Sequence, residues 1–521
     1  MSFHKYFTAS RPLIALALAS QCAAGGAAAQ SPAVAPPAPD PALERVPAIL
    51  GGNELDRTLR EIDARDEARS RRAEAAAAAP ARVWRHPRLD QLPMLLGLPQ
   101  RLSVATTRAG GAEAPPVPSL RLDESMRKGV DESYDTKAAV SRVEAAEETV
   151  EASRGMLRPK VDLLLERGRG DAAAATGGTH KRETDSLMMR FPLIDRVVSN
   201  DVLRQEQLAL SAKAQAEGTR SSAALDAASA YLLALQARLV MELSSGYEAM
   251  LQELLDYVSA RAEAGGASVA ERNRVRARVA NARSTIADAR ANLNASLQKL
   301  QSLVGEAPQA LELAAPDGMK LPGTAEEAKE IAASANFDLR SAAAERDAAV
   351  HEAASQRAKY FPRLEAQLIH RQDVTASALT QIQDNRAMLS MSWSIFNGGT
   401  DRAQMAAALA RSEAQNFQRE GVLRRLSQEI DAAYATLDAM QERFAAVREE
   451  VQSNASVVEA FRAQLVGGNR QLLDVLDAYQ RLHQSRLDIV QLAITEAQNY
   501  VKVAHLTGEL PSLLTAPVPR P

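Results

Sequence analysis

The chain has 521 residues, and its 62 Lys and Arg nearly balance 65 Asp and Glu for a formal net charge of -3. That balance leaves no sustained basic face and argues against a nucleic-acid binder. Aromatic residues make up only 4%, too few for several mixed cores, and the apolar content is carried by Ala, Leu and Val, which suit close helix–helix contact.

The N-terminus reads as a secretory signal over residues 1–29. Lys5 and Arg11 give a positive start, residues 13–19 a short apolar core, and Ala27, Ala28 and Ala29 a small-residue cleavage site before Gln30. The apolar run is too short to cross a bilayer as a helix. Cys22, the single cysteine, follows Gln21 rather than a small residue, which argues against a lipid anchor, and cleavage after Ala29 leaves a chain without disulfides. No later stretch is expected to offer the roughly 18 apolar residues of a membrane-spanning helix. An exported chain of this kind is soluble or enters a membrane as strands.

Residues 30–117 form a low-complexity extension marked by Pro36, Pro37, the run Ala75–Ala79, Pro115 and Pro116. Its composition cannot bury enough apolar surface to offset ordering entropy, so it is expected to be largely disordered and dispensable. Two islands, Asn53–Ala73 and Trp84–Leu98, are compatible with short helices.

From about residue 118 the chain reads as two copies of one unit, residues 118–304 and 325–510, separated by a Pro-containing segment, 305–324, and followed by a Pro-rich tail, 511–521. Each copy opens with a helix (about 123–156 and 325–358). A strand follows Pro159 with Val161, Leu163 and Leu165 on one face, and its counterpart follows Pro362 with Leu364, Ala366 and Leu368. Polar loops, Gly168–Glu183 and Arg371–Asn385, lead to second strands. There Leu187, Met189, Phe191 and Leu193, and in the other copy Leu389, Met391, Trp393 and Ile395, alternate with polar neighbours at the period of a two-faced strand.

A very long helix comes next in each copy. Leu423, Leu426, Ile430, Ala433, Leu437, Met440, Phe444, Val447 and Val451 keep a 3-4 spacing, as do Leu225, Ala228, Leu232, Leu235 and Leu239. Both helices run into Gly pairs, Gly265-Gly266 and Gly467-Gly468, placed where a helical hairpin must reverse. Return helices are expected to about Leu303 and Leu506.

No nucleophile elbow, phosphate loop or metal-ligand spacing occurs, so neither catalysis, a cofactor nor a metal is expected, and the chain does not read as an enzyme. The strands then carry the functional argument. They could close a small soluble sheet, but each pair has about ten residues per strand and is flanked by long helices. About ten tilted residues cross a bilayer. Four strands are too few to enclose a pore, so a barrel would have to be shared between subunits.

Several motifs together resemble the TolC-like family of outer-membrane efflux and secretion channels. They are residues 157–161 (LRPKV) with 360–364 (YFPRL), 191–195 (FPLID) with 393–399 (WSIFNGG), and 473–477 (LDVLD). The resemblance spans about Leu120 to Leu510. It implies a mainly α fold with a small β part, in which tandem coiled-coil hairpins and two β-hairpins per protomer assemble as a homotrimer. Twelve strands would form one outer-membrane barrel continued by a periplasmic α-helical barrel. It also implies a passive exit duct of a tripartite export system, for type I protein secretion or multidrug efflux. Its partners would be a periplasmic adaptor (membrane fusion) protein, an inner-membrane ABC transporter or RND-type pump, and outer-membrane lipid. The competing reading is a soluble periplasmic coiled-coil adaptor or spacer. By resemblance Asp474, Asp477, Arg470 and Glu271 belong to a pore gate at the periplasmic tips, and Leu465 stands where other members carry a tyrosine of the closing network. Asp474 and Asp477, three residues apart, share a helix face, and a threefold axis would stack them as two carboxylate rings. Leu187, Met189, Phe191, Leu389, Met391 and Trp393 are expected to face lipid, with the Trp393 N–H kept wet at the membrane interface.

Overall fold

Two helical hairpins of unequal arms set the dimensions of the molecule. The computed structural model describes residues 84–85, 87–103, 119–171, 179–314, 320–375, 380–467 and 470–511. The expected signal peptide with Cys22, the island at 53–73 and nearly all of the 511–521 tail lie outside the described residues.

The long arms are α4 (Arg196–Glu263) and α8 (Thr400–Val466), and the return arms are α5 (Val269–Val304) and α9 (Leu472–Leu506). At about 1.5 Å per residue each long arm extends on the order of 100 Å. The seams read from spacing are buried: Leu232, Leu235 and Leu239 on α4, and Ile430, Ala433, Leu437, Phe444, Val447 and Val451 on α8. One 18-residue stretch of α4 is apolar enough by composition to cross a membrane, contrary to expectation, but most of it is buried inside the protein. The apolar content serves helix packing, since α4 touches α5 and α9 as well as the opening helices of both copies.

Each opening helix is two helices. In the first copy α2 (Leu122–Glu132) and α3 (Tyr134–Gly155) are separated by Ser133; in the second, α6 (Ala325–Ala335) and α7 (Phe337–Ala358) are separated by Asn336. Both separators have extended backbones and cap the helix that follows. Ser133 Oγ accepts the Thr136 N–H at 3.2 Å and the Asn336 side-chain oxygen accepts the Leu339 N–H at 3.0 Å. A side chain that satisfies the next helix's free N–H competes with continuing the first helix, so the break costs little. Gly129 on α2 lies so close to α4 that an added Cβ would stand 2.4 Å from the Ala227 Cβ.

Four long strands make one antiparallel sheet in the order β4–β5–β8–β9: β4 (Lys160–Asp171), β5 (Thr179–Ile194), β8 (Arg363–Thr375) and β9 (Thr380–Ser392). They run further into the polar stretches than composition suggested, leaving 172–178 and 376–379 between the strands of each pair. Polar residues there pair across the ladder, as in Arg167 with Asp185 at 2.5 Å, which lets strand pairing continue past the apolar part.

The remaining short strands form a belt. β1 (Trp84–Arg85) pairs with β7 (Leu321–Pro322), while β6 (Ala310–Glu312) lies between β2 (Arg101–Ser103) and β3 (Ser119–Leu120). This corrects the reading of 30–117 as largely disordered, within the island named at Trp84–Leu98. Residues 87–103 include a 3-10 turn (Leu89–Gln91) and a short helix, α1 (Leu92–Leu96), and they place Leu89, Leu92, Leu96 and Leu102 in the main core. Tyr231 on α4 and Tyr434 on α8, at equivalent positions of the two copies, bind the belt. The Tyr231 hydroxyl is 2.6 Å from the Glu312 carbonyl and the Tyr434 hydroxyl donates to the Pro322 carbonyl at 2.8 Å. Burial of Tyr231 pushes its phenol far above the usual range, so the proton stays in place for the bond. The Arg238 Nε–H reaches the Ser103 carbonyl at 2.6 Å, and buried Glu496 of α9 accepts the Arg88 backbone N–H at 3.1 Å.

Removing residues 84–103 should therefore expose the core beneath them, so the extension is expected to be needed for stability. Leu92→Ala, at a fully buried position, is expected to cost about 2–5 kcal/mol, read as a lowered midpoint in chemical unfolding; an unchanged midpoint would show that the segment rests on the helices without stabilising them.

Candidate functional site: a two-faced sheet and paired hairpin tips

The register assigns every strand residue to a face. Across the ladder Val161, Met189, Leu368 and Ala387 stand in one row, and Leu163, Leu187, His370 and Asn385 in the next; toward the helices follow Phe191, Ala366 and Leu389, then Ile194, Leu364 and Met391. These rows share one face because directly opposed residues point the same way. The opposite face carries Lys160, Arg190, Gln367 and Met388, then Asp162, Met188, Ile369 and Arg386, with Glu365 and Ser390 beside them. It is held by ion pairs such as Arg190 with Asp162 at 2.6 Å. Leu389 and Met391 on the apolar face are 65% and 67% exposed, so this face has no cover among the described residues. From Leu364 to His370 the apolar rows extend on the order of 20 Å along a strand.

Two details depart from the pattern read in sequence. A bulge between Pro192 and Ile194 skips Leu193, so Ile194 rather than Leu193 opposes Leu364. On the other edge, β9 ends at Ser392, before Trp393 and Ile395. Trp393 is half exposed, and its indole N–H donates to the Tyr360 carbonyl at 3.0 Å rather than relying on water. Beyond it Ile395 and Phe396 are exposed in a turn that ends at Gly398 and Gly399. Both glycines have positive φ, 55° and 81°, a geometry that favours glycine at the entry to α8.

At the far end of the hairpins the structure gathers one apolar cluster from all four arms. It includes Leu251, Leu254 and Val258 of α4, Val275 and Val279 of α5, Val458 and Leu465 of α8, and Val475, Tyr479 and Leu482 of α9. The expected gate residues sit around it. Arg470 Nε is 3.0 Å from Asp474 Oδ2, one turn into α9, and the guanidinium lies 3.8 Å from the centroid of the Phe461 ring. Asp477 is exposed on the next turn. The structure does not bring Glu271 to Arg470. Glu271 closes a capping box: its N–H donates to Ser268 Oγ at 3.1 Å, and its carboxylate accepts the Ser268 N–H at 2.8 Å. That backbone bond holds its carboxyl below the usual glutamate range.

Sequence reading missed Phe461, Tyr257 and Arg261. The Tyr257 hydroxyl reaches the Leu465 carbonyl at 3.4 Å, and Arg261 Nη1 donates to the same hydroxyl at 3.3 Å. Tyr257 thus joins the first hairpin to the second through the Leu465 backbone. No periodic signal marks these residues; only the reversal at Gly265, with φ 77°, places them at a tip. Among the described residues no group of three or more His, Cys, Asp or Glu is arranged to hold a metal.

A duplicated unit of coiled-coil hairpin and two long strands, with an uncovered apolar sheet face, defines a protomer of the outer-membrane channel class. The chain belongs to the outer membrane efflux protein family, whose sequence pattern matches residues 130–306 and 330–509. It is similar to the outer membrane protein TolC of Escherichia coli, with 22% identity over 398 residues, 72% of this chain and 79% of that one. It is also similar to the alkaline protease secretion protein AprF of Pseudomonas aeruginosa, with 23% identity over 385 residues, 70% of this chain and 80% of that one. The crystal structure of the outer membrane protein VceC from Vibrio cholerae superimposes with a TM-score of 0.65 at 16% identity, covering 74% of this chain and 96% of that one. The protein is a TolC-type efflux channel of the cell outer membrane.

The capping box makes a pH-dependent prediction. Because the folded-state pKa of Glu271 is depressed, its stabilisation is present above the ordinary glutamate pKa and is lost as pH falls through the folded value. Glu271→Ala should lower stability by about 0.5–1 kcal/mol at pH 7, and the difference from wild type should shrink in thermal melts as pH falls below the ordinary glutamate range. A difference that persists there would assign Glu271 another role.

Proposed function

We propose that the protein is the outer-membrane exit duct of a tripartite export system, a passive conduit assembled from three copies and gated at its periplasmic tips. One observation carries the reading: the sheet has two unpaired edges, β4 and β9, and one exposed apolar face. A sheet in hydrocarbon must pair every backbone group, so its edges have to meet other strands. Three copies of four strands close a barrel of twelve, with the apolar rows toward lipid and the polar rows toward a water-filled lumen. Energy then comes from an inner-membrane ABC transporter or RND-type pump, joined through a periplasmic adaptor; the AprF likeness supports protein secretion among the cargo classes. A soluble adaptor or spacer has no comparable use for an uncovered apolar sheet face.

Leu187, Met189, Phe191, Leu389 and Met391 face lipid in this assembly, and Trp393 lies at the periplasmic interface with its N–H already bonded. Met391→Arg should cost about 2–4 kcal/mol of barrel stability and reduce membrane insertion, whereas Ser392→Arg, opposite Arg363 on the polar face, should be tolerated. The reverse result in membrane fractionation would invert the faces.

At the gate, Asp474 and Asp477 form two stacked carboxylate rings about the threefold axis. Such rings in a constriction concentrate cations, because low-dielectric walls focus the field. Arg470, held by Asp474 and Phe461, keeps the second hairpin's tip in place. Replacing both aspartates with alanine should abolish block by divalent or trivalent cations in planar-bilayer recordings, and Arg470→Ala should raise resting conductance. A double-aspartate variant that is still blocked would remove these residues from the pore.

A further inference from the structure

The apolar interior of the hairpins is interrupted once. The body core ends at Leu243 on α4, Val451 on α8 and Ile489 on α9, and the tip cluster begins at Leu251, Val458 and Leu482 on the same helices. The layer between them is polar. On α4 it holds Ser244, a buried hydroxyl with no hydrogen-bond partner in the protein, followed by Ser245, Gly246 and Tyr247. From α8 comes Asn454, whose amide donates to Ser485 Oγ at 3.3 Å, and from α9 come His483, Ser485 and Arg486. The Tyr247 and His483 rings stack across the α4–α9 contact with centroids 4.5 Å apart and planes 7° from parallel.

A serine pair followed by glycine is a weak point in a helix interior, because Ser offers competing hydrogen bonds and Gly adds backbone entropy. Loss of apolar contacts in the same layer lowers the local cost of opening. The ring stack crosses this layer and joins α4 to α9. The charges around it are mostly positive: Arg486 acts on His483 from its own helix, and Arg278 of α5 acts on Tyr247. The nearby α4 carboxylate, Glu248, is bound by Arg283 of α5 at 2.7 Å, and α8 contributes the neutral Asn454. Burial, then Arg486, holds the His483 imidazole below the usual histidine range.

We propose that this polar layer is a hinge between the tips and the body, and that protonation of His483 loosens it. A proton on His483 would place a second cation one turn from Arg486 in a half-buried layer, where like charges repel. The tip cluster would then pivot as a unit while the body core stays closed. The hinge stands on the geometry alone; its effect on conduction rests on the gate reading above.

Hydrogen–deuterium exchange of the full-length protein tests the hinge, with His483→Phe as the reference at each pH so that intrinsic exchange rates cancel. Phenylalanine keeps a ring to stack and removes the titration. Between pH 7 and pH 5 wild-type protection at 247–258 and 472–483 should fall relative to the variant, by up to about tenfold for each unit that the imidazole lies below its free value. Arg486→Gln, which removes the neighbouring cation, should move the onset to higher pH. An unchanged wild-type-to-variant ratio across that range, or an onset that ignores Arg486, would overturn the proposal. Conductance measured over the same pH range separates the two readings: tips that loosen without a conductance change keep the hinge and remove its link to the gate.

Discussion

Backbone hydrogen bonding constrains this molecule more than any side chain does. Four strands of 12 to 16 residues, hydrogen-bonded in sequence, leave the outer edges of β4 and β9 without partners. In water such edges invite aggregation, and in hydrocarbon each open group costs several kcal/mol. The apolar rows make hydrocarbon the favoured surroundings, and further strands must then close those edges. In the proposed assembly the coiled coils inherit the same requirement, because each strand pair sits between long helices.

Much of this was legible in sequence wherever a period persisted. The two-residue alternation over 187–191 and 389–391 placed those residues on one face, and the 3-4 spacing along α4 and α8 marked buried seams. Both signals are local and repeated, so tertiary context did not overrule them. Features made by single contacts were not legible. The breaks at Ser133 and Asn336 depend on one capping bond each, and the bulge at Leu193 shifts the register by one residue within an otherwise regular pattern. The belt strands have two or three residues and pair with segments about 200 residues away. They carry no period, which is why the island at 84–98 reads as a short helix and not as strands, although four leucines of 84–103 are in the core.

The tip shows how a residue type can be noticed and its partner missed. Glu271 and Arg470 are opposite charges at the reversals of the two hairpins, and the resemblance assigns both to the closing of the tips. The structure gives each a nearer partner: Ser268 takes Glu271 into a capping box, and Asp474 with Phe461 takes Arg470. Short-range partners win because they cost less side-chain and backbone ordering than a contact between hairpins. What joins the hairpins instead is the apolar cluster and the Tyr257 hydroxyl on the Leu465 carbonyl. A bond to a backbone carbonyl does not need a particular side chain at 465, so leucine there leaves the connection intact.

The duplication therefore divides rigidity unevenly along the helices. In the middle, equivalent tyrosines 231 and 434 fix the belt to both long arms with bonds to buried carbonyls, and the core around them is continuous. Toward the tips the same arms lose their apolar contacts over one layer and regain them beyond it. A rod that is stiff at its waist and interrupted once near its end will bend at the interruption, because the free energy of local opening follows local contact density. The proposed conduit needs that division: its barrel and waist would hold shape under load while its tips move apart and return.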